Sequence, residues 1–239
     1  MPDARPVVLI TRPEAAAARF LAGLGAVCAV PFDAVVSPLI RIVDLPGDVR
    51  LAGLTGIILT SENGAARAAG LGLPAGTPAF CVGTRTAEVA RKGGFVPIVA
   101  GGNADALVAM ILSRGVRGRL LHLRGAHVRG DVAARLRGPD LRCDEAVVYD
   151  QIEQPLSVDA RAALAGTEPV VAPVFSPRTV SILAQSQPFL APLHVVAISA
   201  AVAEAAAALR PARLVTVTDS AADAMRDATA GILASLARA

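Results

Sequence analysis

Tryptophan is absent from this 239-residue chain, tyrosine occurs once, and aromatic residues make up only 3% of it. A single-stranded nucleic-acid binder needs aromatic platforms interleaved with a basic run; neither is present, so no nucleic-acid partner is expected. Lysine is nearly missing too: Lys92 is the one lysine among 23 basic residues, and the net charge is only +3. An arginine and alanine bias of this kind suits a GC-rich genome, and it also suits bidentate binding of carboxylates. Cys28, Cys81 and Cys143 are far apart, odd in number and form no CxxC. That pattern excludes a disulfide framework, a structural zinc and an iron–sulfur site; the three read as small core residues in a reducing cytosol. No apolar run reaches membrane-spanning length without a charge, and the longest candidate, Val195–Leu209, carries Glu204. Met1-Pro2-Asp3-Ala4-Arg5 leads almost at once into a strand pattern. No leader is therefore expected, and the protein is expected to be cytoplasmic. No GxGxxG follows a strand, which removes the common dinucleotide fingerprint.

At 54% apolar and 18% charged residues, the chain is globular. Apolar β-rich runs alternate with helical patterns from end to end. Strands are expected at Val7–Thr11, Ala26–Val30, Ile57–Thr60, Ala79–Val82, Val96–Val99, Leu120–Leu123, Val170–Phe175, Val195–Ile198 and Leu214–Val217. Helices are expected between them, among them Glu14–Leu24, Ala104–Ser113, Val128–Leu136 and Ala221–Ala237. This alternation implies parallel sheets covered by helices, an α/β fold. Val35–Val43 and Cys143–Ile152 are extended without a nearby helix. They read as two strands passing side by side between domains. One domain, 36–150, is then inserted into another made of 1–35 and 151–239.

The chain also says nearly the same thing twice. Leu59-Thr60-Ser61-Glu62-Asn63 and Phe175-Ser176-Pro177-Arg178-Thr179 each end an apolar run and open a helix. Each is echoed downstream, by Cys81-Val82-Gly83-Thr84 and by Ala197-Ile198-Ser199-Ala200. A strand that ends in hydroxyls or glycine and opens a helix offers unpaired N–H groups and a partial positive charge to an anion. Two such halves suggest two similar domains facing one polyanionic ligand. The same residues also suit plain helix caps, which Ser and Asn often supply.

Six pieces resemble the uroporphyrinogen-III synthase family. They are Leu9-Ile10-Thr11-Arg12-Pro13, Leu59-Thr60-Ser61-Glu62-Asn63-Gly64, Val82-Gly83-Thr84-Arg85-Thr86-Ala87, Leu123-Arg124-Gly125 with Arg129, Val148-Tyr149, and Phe175-Ser176-Pro177. The resemblance implies two flavodoxin-like domains joined by a two-stranded ladder. It also implies a cytosolic, cofactor-free lyase of tetrapyrrole synthesis that acts on hydroxymethylbilane without a metal. That substrate is a linear tetrapyrrole with an acetate and a propionate on each ring. The reaction loses the terminal hydroxyl, inverts ring D and closes the macrocycle to uroporphyrinogen III. No nucleic-acid or membrane partner is implied, and a monomer is expected. A rival reading is a non-catalytic synthase-like domain that binds a tetrapyrrole or another polyanion. One departure keeps it open: the family often has Gly and Thr where this chain reads Ser199 and Ala201.

The expected substrate-binding residues are Arg12, Thr60, Ser61, Asn63, Gly83, Thr84, Thr86, Arg124, Ser176, Pro177 and Ser199. Hydroxyls, amides, guanidinium groups and exposed backbone N–H groups suit a ligand with many carboxylates. Tyr149, the only tyrosine, is the expected catalytic residue, its phenol assisting departure of the hydroxyl. Asp219 and Ser220 read as the cap of the last helix. His122 reads as a structural histidine inside a strand, and His127 as a residue near the cleft.

Overall fold

The computed structural model describes residues 5–46, 49–127, 130–218 and 222–238. Arg129, Asp219, Ser220 and the start of the helix expected at Val128–Leu136 lie outside the described residues. Chain contacts divide the protein into Met1–Arg41 with Glu153–Ala239, unit 1, and Ile42–Ile152, unit 2.

Unit 1 begins with β1 (Val7–Ile10), α1 (Glu14–Val27) and β2 (Asp33–Val36). Strand β3 (Ile40–Asp44) then carries the chain into unit 2. There it forms β4 (Leu54–Leu59), α2 (Glu62–Ala68), β5 (Pro78–Cys81), α3 (Thr84–Lys92), β6 (Val96–Val99) and α4 (Ala104–Ser113). Next come β7 (Gly118–Gly125), α5 (Val132–Arg135) and the long β8 (Leu141–Glu153), which leads back to unit 1. Unit 1 closes with α6 (Val158–Ala165), β9 (Val170–Val174), α7 (Pro177–Ala184), β10 (Leu193–Ala197), α8 (Ala200–Ala206), β11 (Arg213–Thr216) and α9 (Ala222–Leu236).

Two of the expected strands fall elsewhere. Ala26–Val30 is not a strand: α1 runs on to Val27 through helix-favouring alanines and Leu24, and β2 starts only at Asp33, after Pro31. Val35–Val43 is not one strand either. Pro38 lacks the N–H that a ladder requires, and the segment splits into β2 and β3, which join different sheets.

Sheet A of unit 1 is wholly parallel, with strand order β11-β10-β9-β1-β2. Numbered within the unit this is the doubly wound order 2-1-3-4-5. Alternation along the strands sends Val8, Ile10, Val171 and Val196 into a core with Phe20 and Leu24 of α1 and Met225, Ile232 and Leu233 of α9. Sheet B has order β3-β8-β7-β4-β5-β6. Its block from β8 to β6 is parallel. The sheet is mixed because β3 runs against β8: Leu45 N–H donates to Val148 O, and Gln154 N–H to Leu39 O. On one face Ile57, Leu59, Ala79, Cys81 and Leu123 meet alanines of α2 and α3; on the other Ile58, Phe80, Leu120 and Cys143 meet Leu107, Val108 and Ile111 of α4. The small alanines let α2 and α3 lie close to the sheet. Closest is Gly64, where a Cβ would stand 2.8 Å from the Leu123 carbonyl oxygen. No helix among the described residues is long and apolar enough to cross a membrane.

Candidate active site

In an open α/β sheet, ligands bind outside the carboxyl ends of the strands, where the winding direction reverses. In sheet A the reversal lies between β1 and β9. Those strands deliver Thr11 and Arg12 on one side, Phe175 and Ser176 on the other. In sheet B it lies between β4 and β7. Thr60 and Ser61 follow β4, while His122 and Arg124 stand near the end of β7. Both switch points therefore carry expected site residues.

The duplicated motif is built the same way four times. Ser61, Gly83, Ser176 and Ser199 are the N-cap residues of α2, α3, α7 and α8, with φ from −150° to −161° and ψ from 146° to 172°. The Ser61 hydroxyl accepts from Gly64 N–H at 3.0 Å, Ser176 from Thr179 N–H at 3.1 Å, and Ser199 from Val202 N–H at 3.4 Å. So Ser199 retains its capping hydroxyl in the loop that departs from the family pattern. At Gly83 a Cβ would meet nothing within 4 Å, which leaves the backbone open to approach from outside.

Unit 2 has the richer cluster. The Tyr149 phenol lies 3.0 Å from the Ser61 hydroxyl, although the two residues are 88 positions apart. The ring is wedged against Gly125, where a Cβ would stand 2.6 Å from its Cζ; only glycine seats the phenol here. Beside them is a cavity of about 480 Å³ lined by Thr60, Ser61, His122, His127, Arg135 and Tyr149, among others. Arg135 at its wall is paired with Asp105 at 2.7 Å. His127 is 3.6 Å from Asp150.

His122 is 2% exposed. Its Nε2 is 3.1 Å from Thr60 Oγ1, and its Nδ1 is 3.4 Å from Glu145 Oε1. Arg124 Nε approaches the same carboxylate oxygen at 3.3 Å. Burial lowers the His122 pKa below the ordinary 6.5 and outweighs the nearby Glu145 carboxylate, which pulls the other way. The folded imidazole is therefore neutral near pH 7. On acidification the unfolded chain takes up the His122 proton first, so this contribution to stability is complete above pH 6.5 and is lost as pH falls towards the folded value. His122→Gln should accordingly lose less stability than the parent between about pH 7.5 and about pH 5.5 in urea titrations. Equal losses would show that His122 is not a source of acid sensitivity. The thiols of Cys81 and Cys143 are pushed up to about 11 and about 12, mainly by burial, and stay protonated.

At the switch point of unit 1, the Arg12 guanidinium carbon lies 4.0 Å from the centre of the Phe175 ring. Phe175 in turn meets Phe20 edge-on at 5.5 Å. The stack holds Arg12 by a cation–π contact. Ser176 and Thr179 join hydroxyls at 2.8 Å, and Pro177 takes the first position of α7.

Of the expected site residues, the structure brings Thr60, Ser61 and Tyr149 to one cavity and seats Arg124 on the strand beside it. Arg12, Ser176 and Pro177 gather at the switch point of unit 1. Asn63 and Thr84 sit in the first turns of their helices, and Thr84 is exposed. Thr86, also in α3, is 4% exposed. Arg124 is engaged inside the fold as well, donating to the Gly125 carbonyl at 3.1 Å. Sequence reasoning missed the Thr60–His122 and Ser61–Tyr149 contacts. Both contacts depend on strand order, with β7 beside β4 and β8 beyond it, which alternating apolar runs do not encode.

The family model for uroporphyrinogen-III synthase HemD matches residues 25–226. The chain belongs to the uroporphyrinogen-III synthase family. Every expected site residue except Arg12 lies inside the matched span, and the family's place is in porphyrin and tetrapyrrole biosynthesis. Among solved structures, the uroporphyrinogen-III synthetase of Helicobacter pylori 26695 resembles the chain with a TM-score of 0.64. Identity is 13%, over 95% of this chain and 99% of that one, so the likeness concerns the fold. The uroporphyrinogen III synthase of the extremely thermophilic bacterium Thermus thermophilus aligns over 98% of each chain at 16% identity, with a TM-score of 0.44. No curated protein matches the sequence. The Ser61–Tyr149 hydroxyl contact uses one of the pair's two protons.

Proposed function

We propose that this protein is a working uroporphyrinogen-III synthase, a lyase that cyclises hydroxymethylbilane with inversion of ring D and loss of water. The observation that carries this reading is the Ser61–Tyr149 pair at 3.0 Å beside the cavity of unit 2. Ser61 Oγ already accepts from Gly64 N–H. Its own proton can then pass to the phenol oxygen, which leaves the phenol O–H to donate outward. The result is a donor chain, Gly64 N–H to Ser61 to Tyr149 to the departing hydroxyl, in which each bond strengthens the next. The hydroxyl leaves as water when it takes the phenol proton, and Ser61 holds the charge that develops on the phenol oxygen. The methylene left behind is attacked by a carbon of ring D, and the one ring C–H proton lost as that carbon–carbon bond closes the macrocycle restores the phenol; all four pyrrole N–H groups are kept.

Closure without an enzyme gives the uninverted isomer, so the protein must lower one ring-closing barrier more than the other. That is largely positioning of a flexible chain. Helix starts at Gly83 and Ser199, together with Arg12 and Ser176 in unit 1, supply donors suited to the substrate's carboxylates. The reading is tested by supplying hydroxymethylbilane, oxidising the products and separating isomer III from isomer I. Isomer III is expected, and its rate should be unchanged after exhaustive dialysis against a chelator. Isomer I alone would leave only a binding protein. A loss restored by a metal would overturn the cofactor-free mechanism.

A further inference from the structure

Thr60 stands at the mouth of the switch point of unit 2, but its hydroxyl proton is already committed. The heteroatom partner described for it is His122 Nε2, at 3.1 Å. The neutral imidazole carries one proton, on one of two nitrogens. Nδ1 faces the Glu145 carboxylate at 3.4 Å, long for a hydrogen bond yet close enough for charge to matter. Arg124 Nε lies 3.3 Å from the same oxygen, so the carboxylate answers a guanidinium on one side and the imidazole on the other. Nδ1 itself is buried, so a lone pair there would face an anion with no water to shield it; a proton there faces it favourably. The proton therefore belongs on Nδ1. Nε2 is then an acceptor, and the Thr60 O–H must donate to it. What Thr60 turns towards the cavity is a pair of oxygen lone pairs.

A carboxylate only accepts hydrogen bonds, so it gains nothing from such an oxygen. The bilane also carries donors, the N–H groups of its four pyrrole rings. We propose that His122 is a positioning residue that makes Thr60 a hydrogen-bond acceptor, so that this position takes a pyrrole N–H of the substrate rather than one of its carboxylates. The proposal rests on the synthase reading above. It separates two jobs within one short motif: Ser61 with Tyr149 supplies a proton, and Thr60 with His122 receives one in a hydrogen bond. The orientation of a ring is thus fixed by its nitrogen while helix starts hold its side-chain acids.

The premise is tested without substrate. Nitrogen-15 NMR of the wild-type protein labelled at histidine, near pH 7, should give the Nδ1–H tautomer for His122; the Nε2–H tautomer overturns the proposal. Kinetics test the consequence. His122→Phe removes the acceptor and lets Thr60 turn, and should raise KM about tenfold with kcat within about threefold, as for one lost hydrogen bond. His122→Gln, whose amide oxygen can take the place of Nε2, should restore KM to within about threefold of the parent. Thr60→Val should match the loss in His122→Phe, and the double variant should be no worse than either. Fully additive losses, or a folded His122→Phe protein with unchanged KM, overturn the proposal. If wild-type protein makes no isomer III, the synthase reading falls, while the NMR experiment still decides the polarity of Thr60.

Discussion

Ser61→Asp should leave the protein folded and reduce isomer III formation at least tenfold, and Ser176→Asp should do the same from the other unit. Aspartate caps a helix as well as serine does, so N-terminal satisfaction of α2 and α7 persists. What changes is charge. Two like charges about 4 Å apart repel by about 4 kcal/mol at an effective dielectric near 20. Both serines are only half-buried, and solvent and salt screen much of that. One to two decades in kcat/KM is the expected remainder, mainly through KM at Ser176 and through kcat as well at Ser61, whose hydroxyl serves the Tyr149 phenol. Alanine at either position removes a donor but spares the backbone N–H groups, and should cost about 1–2 kcal/mol. The order Asp much worse than Ala, at unchanged thermal midpoint, marks a ligand contact. A plain cap gives the reverse: Asp tolerated and Ala destabilising. If both Asp variants form isomer III normally, the duplicated motif is a folding signal and nothing more.

The second large effect concerns Tyr149. Tyr149→Phe keeps the ring against Gly125 and removes only the oxygen 3.0 Å from Ser61. General-acid assistance contributes typically about 10²–10⁴-fold, so kcat should fall on the order of 100-fold, with KM little changed. Single-turnover measurement under saturating substrate separates this from slow product release. Gly125→Ala should reproduce part of the loss by forcing the phenol off Ser61, although every hydroxyl remains. A folded Tyr149→Phe protein with normal turnover would reduce Tyr149 to a packing residue.

The alternation of strands and helices was legible because each element carries its own period. Val96–Val99 and Ala104–Ser113 fall where the pattern puts them. The failures have local causes. Strand β2 is four residues long and largely exposed at the edge of sheet A, and its Val35-Val36 reads on into the segment that Pro38 divides, whereas Ala26-Val27-Cys28 looks apolar but finishes a helix. The site was legible one motif at a time. Thr60, Ser61 and Ser176 stand out because a hydroxyl at a strand end before a helix has a physical use. Their partners do not stand out. His122 reaches Thr60 because β4 pairs with β7 in the register Ile58 to His122. Tyr149 reaches Ser61 from β8, one strand further out. Strand order is a property of the whole sheet, and no window of sequence contains it.

The two crossings of the chain between its units also govern how it is made. Strand β1 lies inside sheet A, between β2 and β9. One neighbour is synthesised at once, but the other begins only at Val170. At ribosomal speeds of about 5–20 residues per second, β1 waits on the order of ten seconds with an apolar edge uncovered. Unit 2 emerges whole during that interval. The nascent chain therefore passes through a stage in which its middle is finished and its beginning is not. A premature stop just after Glu153 would leave a central unit trailing an N-terminal segment in which β1 has β2 on one side and nothing on the other, a natural client for chaperones and proteases.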